Sequence, residues 1–153
     1  MNIIYIRTST ADQTPELQLR DILPLVSGEH EIYTEKLSAW KNNVKRPVFE
    51  NVTRLIKKGK VKHIFCWDLD RLHRNRIRLK EFFLLCKTFG VVIHSNNQKW
   101  LEDINKIPEP FNDMVLEMLI NFMGWIGEEE SKKKSDRVKL SVRKDAKGIT
   151  RSH

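Results

Sequence analysis

The stretch that decides the fold runs from Val61 to His94 and reads VKHIFCWDLDRLHRNRIRLKEFFLLCKTFGVVIH. Its first part, Val61 to Trp67, is largely apolar, which predicts a buried strand. Arg76 to Phe89 follows with helical spacing and is closed by Gly90. Val91 to His94 is then another short apolar strand. A strand, a helix and a second strand in this order predict parallel strands in an α/β sheet.

The same alternation extends toward the N-terminus. Asn2 to Ile6 and Glu31 to Thr34 are short β-rich runs and predicted strands. A helix is predicted to open at Thr14-Pro15, because threonine caps helices and proline suits the first helical position. Pro47 starts a further predicted helix. The sequence therefore predicts an α/β fold with a mostly parallel central sheet of four or five strands flanked by helices.

The last third of the chain predicts one long C-terminal helix, from about Asn112 to about Lys147. Its apolar residues from Met114 to Ile126 occur on almost all sides of the helix. One face can pack on the sheet, and the other must be buried by another surface, most simply that of a second subunit. The alternative is a core helix with a frayed, charged end. We divide the chain into an α/β core over residues 1–110, the long helix over 111–147, which belongs to the same domain, and a tail over 148–153.

Basic residues are concentrated at the C-terminal end. The 153-residue chain carries a formal net charge of +8, and from Ser131 to His153 nine lysines and arginines stand against two aspartates. This pattern indicates a polyanionic partner, nucleic acid before an anionic membrane, although a solvated helix end would look similar. The candidate DNA contacts are Lys132, Lys133, Lys134, Arg137, Lys139, Arg143 and Lys144.

Other classes of protein fit the sequence poorly. No apolar run is long enough to span a membrane, and the N-terminal run is too short for a signal peptide. Cys66 and Cys86 lack the spacing of a metal site. We therefore expect a cytoplasmic protein with reduced thiols, no membrane partner and no bound metal.

A first chemical cluster, Tyr5, Arg7 and Ser9, lies at the end of the first predicted strand. Alternation along the strand places the three side chains on one side. Ligand sites in parallel sheets lie at the carboxyl ends of strands, where a serine hydroxyl beside an arginine can attack a phosphate. A loop serine taken alone more often caps a turn.

A second cluster, WDLDRLHRN, follows the third predicted strand. Asp70, Arg71 and Arg74 are expected to begin a helix, whose N-terminus adds partial positive charge. Arg71 and Arg74 are three residues apart and can point the same way. Two guanidinium groups would stabilise the negative charge that grows on a phosphate under attack. The alternative is an ordinary surface Asp–Arg pair.

The order of these motifs along the chain resembles the catalytic domain of serine site-specific recombinases of the resolvase/invertase type. The resemblance covers nearly the whole chain. It depends on YIRTST, then ADQ and Gln18, then EKLSAW, an Arg-Pro pair, LDRLHR and a long helix ending in ESKKKSDRVKLSVRKDAKG.

The resemblance implies that Ser9 forms a covalent 5′-phosphoserine link to DNA during cleavage and rejoining. It implies subunits paired through the long helix, dimers and an active tetramer, with no cofactor and no metal. The implied catalytic residues beside Ser9 are Arg7, Arg46, Arg71, Arg74 and Asp70, and the implied supporting residues are Tyr5, Gln13, Gln18 and Ser38.

The sequence also departs from the family pattern. His73 stands where the family usually has glycine, and Trp40 follows Ala39 where Ser-Gly is common. The family usually carries a further DNA-recognition domain, whereas this chain stops at His153. We therefore expect a truncated or minimal form that depends on a missing domain or a partner for choice of DNA site.

Two other functions remain open at the level of sequence. Asp68, Asp70 and Glu35 are carboxylates at strand ends and could hold Mg²⁺ in a DNA nuclease. The chain could instead be a non-catalytic, DNA-bound accessory subunit. Metal dependence distinguishes the nuclease, and a covalent protein–DNA adduct excludes the accessory subunit.

Overall fold

The central layer of the molecule is a parallel sheet. The computed structural model describes residues 1–9, 14–37, 45–125 and 132–133. In this part of the chain the strands are β1 (Asn2–Thr8), β2 (His30–Lys36), β3 (His63–Cys66) and β4 (Val92–Ser95). They lie in the order β2-β1-β3-β4, and all pairs are parallel. The predicted parallel α/β sheet is thus confirmed, with four strands in the described residues.

Helices flank the sheet: α1 (Pro15–Ile22), α2 (Pro47–Lys57), α3 (Arg76–Thr88), α4 (Trp100–Asn105) and α5, residues 111–125. The helix starts predicted from the two prolines are confirmed. The short helix α4 is absent from the sequence-based prediction, because six residues with two buried side chains show no clear helical periodicity.

The core lies on both faces of the sheet. Ile3 and Tyr5 of β1 belong to a cluster that includes Phe49 of α2 and Phe82 of α3. Ile4 and Ile6 point to the other face, into a cluster with Ile22 of α1. Alternate side chains of β1 are therefore buried on opposite sides, as expected of a central strand. Pairing with β2 continues to the carboxyl end of β1 at Thr8, whereas pairing with β3 ends at Ile4.

Both cysteines of the sequence are buried in the larger of these clusters. Cys66 and Cys86 are free thiols. Burial raises the pKa of both thiols, that of Cys86 to about 12. Both side chains therefore stay protonated and unreactive at neutral pH.

One face of α5 packs on the sheet layer and the other is exposed. Ile120 is 2% exposed and lies in the core, with Leu116 and Met123 packed against the same cluster. The opposite face carries exposed apolar side chains, here called the α5 stripe: Phe111, Met114, Met118, Phe122 and Trp125.

The predicted apolar helix with one uncovered face is therefore confirmed for residues 111–125. Lys132 and Lys133 are also helical and exposed. The remaining residues up to 147, Ile126 included, lie outside the described part of the chain. Within that part, no helix combines the length and the apolar character needed to cross a membrane.

Gly124 allows α5 to approach the start of α3. A Cβ atom at this position would lie 2.6 Å from Cδ and 3.1 Å from Cβ of Arg76, the first residue of α3. Only a residue without a side chain fits this contact without displacement. Gly124 thus couples the position of α5 to the N-terminal end of α3.

Candidate active site

Most of the site residues predicted from the sequence lie at one edge of the sheet. Ser9 follows β1 directly and is half-buried. Glu35 lies near the end of β2, and the segment Asp68–Arg74 follows β3. Because these strands are parallel and adjacent, their carboxyl ends form a single edge, where ligand sites of such sheets occur.

Glu35 organises the part of this edge next to β2. Its carboxylate is 4% exposed and accepts a 2.5 Å hydrogen bond from the Tyr5 hydroxyl. It also accepts hydrogen bonds from the backbone N–H groups of Val48 (2.9 Å) and Phe49 (3.3 Å), at the start of α2. Burial, together with the Glu35 carboxylate, raises the pKa of Tyr5, although Arg46 opposes this shift. Tyr5 is therefore a hydrogen-bond donor to Glu35 at neutral pH.

Arg46 lies across this network and is directed inward. Its Nη2 donates to the Tyr5 hydroxyl (2.9 Å) and to the Arg71 carbonyl (3.0 Å). Its Nη1 donates to the Leu72 carbonyl (2.5 Å) and lies 3.3 Å from His73 Nδ1. The guanidinium therefore ties the segment after β3 to β1. Three Nη hydrogens are thus donated to protein acceptors, which favours an indirect role for Arg46 over contact with phosphate.

Arg7 connects β1 to the same segment. Its Nη2 donates a 2.6 Å hydrogen bond to the Asp70 carbonyl, while Gln18 of α1 donates to the Arg7 carbonyl at 3.1 Å. Burial lowers the pKa of Arg7, and the positive charges of Arg74 and Arg46 lower it further. Positive charge is thus crowded beside Ser9, which favours binding of an anion.

The sequence predicted that Asp70, Arg71 and Arg74 begin an α-helix, and this prediction is wrong. Leu69–Arg71 forms a 3₁₀ turn, which Asp68 caps by accepting a 3.0 Å hydrogen bond from the Asp70 N–H. The α-helix begins only at Arg76. Asn75 caps this helix by accepting hydrogen bonds from the N–H groups of Ile77 and Arg78. The helix N-terminus expected beside Asp70 therefore lies several residues later in the chain.

Arg71 and Arg74 also differ in exposure. Arg71 is 5% exposed, and its guanidinium lies 5.4 Å from the ring centroid of Trp67. Arg74 is exposed and lies close enough to Arg7 to lower its pKa. Arg71 is therefore buried beside Trp67 and the Asp70 carboxylate, whereas Arg74 lies on the solvent side of Arg7.

Two carboxylates in this segment have pKa values shifted in opposite directions. Burial raises the pKa of Asp70, and the neighbouring charge of Asp68 adds to the effect, while Arg71 opposes it. Burial would also raise the pKa of Asp68, but hydrogen bonds from the Asp70 N–H and from Asn97 outweigh burial and lower it. Asp70 is consequently the better proton donor of the two.

The carboxylates that could have held Mg²⁺ do not converge. Glu35 is occupied by Tyr5 and α2, and Asp68 by its own turn and Asn97. Among the described residues, no group of three or more His, Cys, Asp or Glu side chains is arranged to hold a metal ion.

The structure thus brings Tyr5, Arg7, Gln18, Arg46 and the Asp70–Arg74 segment into one network next to Ser9. Gln13 and Ser38 lie outside the described residues, as do the predicted DNA contacts Lys134, Arg137, Lys139, Arg143 and Lys144. The organising role of Glu35 was missed by the sequence analysis, which considered it only as a metal ligand. Glu35 lies near the end of a predicted strand, and an Arg-Pro pair begins the next predicted helix. These two features could have indicated that Glu35 binds the start of that helix.

Comparisons with known proteins identify the family and the fold. The sequence matches the family described as "Resolvase, N terminal domain" over residues 2–149. A comparison with curated protein sequences gave no match. Among solved structures, the first ORF in transposon ISC1904 from Sulfolobus solfataricus P2 is similar, with 22% identity and a TM-score of 0.52 over 84% of this chain and 87% of that one.

Two further structures share the fold. The N-terminal catalytic domain of TP901-1 integrase has 13% identity and a TM-score of 0.57, over 84% of this chain and 96% of that one. A resolvase family site-specific recombinase from Streptococcus pneumoniae has 15% identity and a TM-score of 0.53, over 92% and 97% of the two chains.

Proposed function

The chain belongs to the resolvase N-terminal domain family, and from this premise we propose that it is a serine recombinase catalytic domain in which Ser9 attacks DNA. The substrate is a phosphodiester of duplex DNA. The product of the first step is a 5′-phosphoserine link between Ser9 and one DNA end, with a free 3′-hydroxyl on the other.

The proposed reaction is a pair of phosphoryl transfers. In the first, Ser9 Oγ loses its proton and bonds to phosphorus, while the bond from phosphorus to the 3′-oxygen breaks and that oxygen takes up a proton. In the second, the 3′-hydroxyl of a partner strand attacks the same phosphorus and Ser9 Oγ leaves with a proton. One P–O bond replaces another in each step, so no external energy source is needed.

The residues around Ser9 would act mainly through their charge. A serine hydroxyl is a weak nucleophile until its proton is removed or its oxyanion is stabilised. Arg7, Arg71 and Arg74 supply positive charge that favours the serine alkoxide and the charge on the equatorial phosphate oxygens. Asp70, with its raised pKa, would protonate the leaving 3′-oxygen.

The observation that carries the proposal is the link between the two chemical clusters. Arg7, two residues before Ser9, binds the Asp70 carbonyl at 2.6 Å and lies beside Arg74. The end of β1, which leads to Ser9, and the turn that carries Asp70 are therefore attached to each other in the protein without DNA, which supports a preformed site. Such preorganisation is what electrostatic stabilisation of a transition state requires.

The decisive experiment is to trap the covalent adduct. The protein is incubated in EDTA with an end-labelled duplex library of random sequence, denatured in SDS and captured on a filter. Retained DNA should carry protein on its 5′ ends. Ser9→Ala should abolish retention, whereas Ser27→Ala, an exposed serine in the loop before β2, should leave it unchanged.

Two outcomes would overturn the proposal. Cleavage that requires Mg²⁺ and releases free 5′-phosphates would indicate a nuclease. Binding of the library without any SDS-resistant adduct from the wild-type protein would indicate an accessory subunit.

The proposal includes partners and location. The α5 stripe is a contiguous exposed apolar surface, which supports pairing of two copies through this helix, with a tetramer in the active complex. Lys132 and Lys133, exposed on helical residues beyond α5, support contact with DNA phosphates. A DNA substrate and two reduced thiols fit action in the cytoplasm.

A further inference from the structure

His73 occupies a position between Arg46 and the aromatic core that no part of the proposed chemistry uses. Its ring makes edge contacts with Phe49 (centroids 5.0 Å apart, 81° between planes) and Phe82 (6.0 Å, 69°). Its Nδ1 lies 3.3 Å from Arg46 Nη1. The same guanidinium lies 4.0 Å from the ring centroid of Phe49, so His73 and Phe49 enclose Arg46 from two directions.

Elementary chemistry fixes the protonation state of this imidazole. A guanidinium has only donors, so Nδ1 can interact favourably with Arg46 only as an acceptor. The ring must then be neutral, with its proton on Nε2. Burial lowers the pKa of His73 to about 4, and the charges of Arg46, Arg78 of α3 and Arg7 of β1 act in the same direction.

Arg46 in turn holds the middle of the active-site segment. Its Nη groups donate to the carbonyls of Arg71 and Leu72, which precede His73 in the chain. Arg7 holds the same segment at the Asp70 carbonyl, and Leu69 and Leu72 anchor it in the core. A displaced Arg46 would leave the carbonyls of Arg71 and Leu72 without this donor, and the placement of the neighbouring arginines would be less precise.

We propose that His73 is a positioning residue for the cleavage reaction: as a neutral hydrogen-bond acceptor, it fixes Arg46 and through Arg46 the segment that carries Arg71 and Arg74. The proposal rests on the proposed function, because DNA cleavage is its readout. A glycine at this position could pack neither against Phe49 nor against Phe82 and could accept nothing from Arg46.

The test compares two replacements at one position. His73→Phe keeps an aromatic ring between Phe49 and Phe82 but removes the acceptor. His73→Asn keeps an acceptor oxygen near the place of Nδ1 but loses the ring. The adduct assay above, run under single-turnover conditions, gives the cleavage rate, and filter binding in the absence of SDS gives the DNA affinity.

We expect His73→Phe to slow cleavage on the order of tenfold at unchanged DNA affinity, since a hydrogen bond to a charged group is removed. His73→Asn should cleave within about twofold of wild type, although its melting temperature falls through poorer packing. A merely structural histidine would give the opposite order, with Phe the milder change, and that result would overturn the inference.

A measurement on the wild-type protein avoids dependence on folded variants. A long-range ¹H–¹⁵N spectrum at pH 7 should show His73 with the proton on Nε2 and Nδ1 unprotonated. A protonated Nδ1 would overturn the inference. Wild-type protein that forms no adduct refutes the proposed function instead, while wild-type adducts with an unaffected His73→Phe variant refute only the role of His73.

Discussion

At the scale of single residues, Asp68 and Asp70 have pKa values shifted in opposite directions although only one residue separates them. Asp68 accepts two hydrogen bonds and keeps a lowered pKa, whereas Asp70 has its pKa raised by burial and by Asp68 itself. The Asp70 side chain is still 48% exposed although its Oδ1 is buried, so a leaving group can approach the other carboxylate oxygen. A partly buried acid with a raised pKa is suited to proton donation.

We predict that Asp70→Asn slows DNA cleavage by about 10²–10⁴-fold, the usual contribution of a general acid. The defect should disappear on DNA whose scissile 3′-oxygen is replaced by sulfur, because a thiolate leaves without a proton. Asp68→Asn serves as the control, since it disturbs the 3₁₀ turn and should not be rescued by sulfur. Equal rescue of both variants would contradict the assignment.

The rate of DNA cleavage should decrease as the pH increases. Asp70 is active as an acid only below its pKa, which is raised, so cleavage of ordinary DNA should slow as pH increases through that value. Cleavage of the sulfur-containing DNA should lack this decline. Single-turnover rates over a pH series measure both.

The positions of some site residues can be predicted from the local sequence, and those of others cannot. Arg7 and Tyr5 share a face because β1 alternates, which a sequence shows directly. The inward orientation of Arg46 depends on carbonyls of Arg71 and Leu72, about two dozen positions along the chain, and no local pattern encodes it. The same holds for Glu35, whose partners come from β1 and α2.

At the scale of secondary structure, the contact between α3 and α5 depends on one missing side chain. Alanine favours a helix over glycine by about 1 kcal/mol, so Gly124→Ala would normally stabilise α5. Here the added Cβ meets Arg76 at 2.6 Å. We predict instead a loss of about 1–3 kcal/mol in the free energy of unfolding, the usual effect of overpacking, measured by urea denaturation.

The control for this prediction removes the Arg76 side chain that a Cβ atom at position 124 would meet. In an Arg76→Ala background the Cδ and Cγ atoms that crowd Gly124 are absent. Gly124→Ala should then cost much less than in the wild-type background. An equal cost in both backgrounds would show that crowding by Arg76 is not the reason.

Helix boundaries were predictable where proline or glycine fixes the backbone. Pro15 and Pro47 begin α1 and α2, and Gly59 follows α2 with a φ of 72°. The turn after β3 was not predictable in the same way. Asp68 and Asn75 are both good caps, and only the packing of the chain selects Asn75 to begin the α-helix.

At the scale of the whole molecule, the α5 stripe predicts self-association. Phe122→Glu should shift the protein toward monomer in sedimentation equilibrium over a concentration series, because a charge would have to be buried in the interface. Leu84→Glu, at an exposed apolar residue of α3 outside the stripe, is the matched control and should have no effect. A wild-type protein that is monomeric at all concentrations would contradict the prediction.

The basic end of the chain predicts weak DNA binding with a steep dependence on salt. Replacing Lys132, Lys133, Lys134 and Arg137 by alanine should flatten the log–log salt slope by about 0.9 for each DNA phosphate that the protein no longer neutralises. The control replaces four other lysines, Lys57, Lys58, Lys60 and Lys62. These are exposed near the end of α2 and the start of β3, at the edge of the sheet away from Ser9.

Filter binding of a random-sequence duplex from low to high salt provides the measurement. An unchanged slope in the first variant, or an equal change in the control, would show that the basic end does not bind the phosphates. Tight binding of one sequence that persists at high salt would contradict the prediction as well.

The burial of both thiols has a practical consequence for observing these events. Maleimide dyes react with exposed thiolates, and Cys66 and Cys86 offer neither exposure nor ionisation at neutral pH. A cysteine introduced on the surface outside the α5 stripe, such as Leu84→Cys, would therefore label selectively without prior removal of the native cysteines. Fluorescence resonance energy transfer between donor-labelled and acceptor-labelled copies would then report the association of subunits in real time.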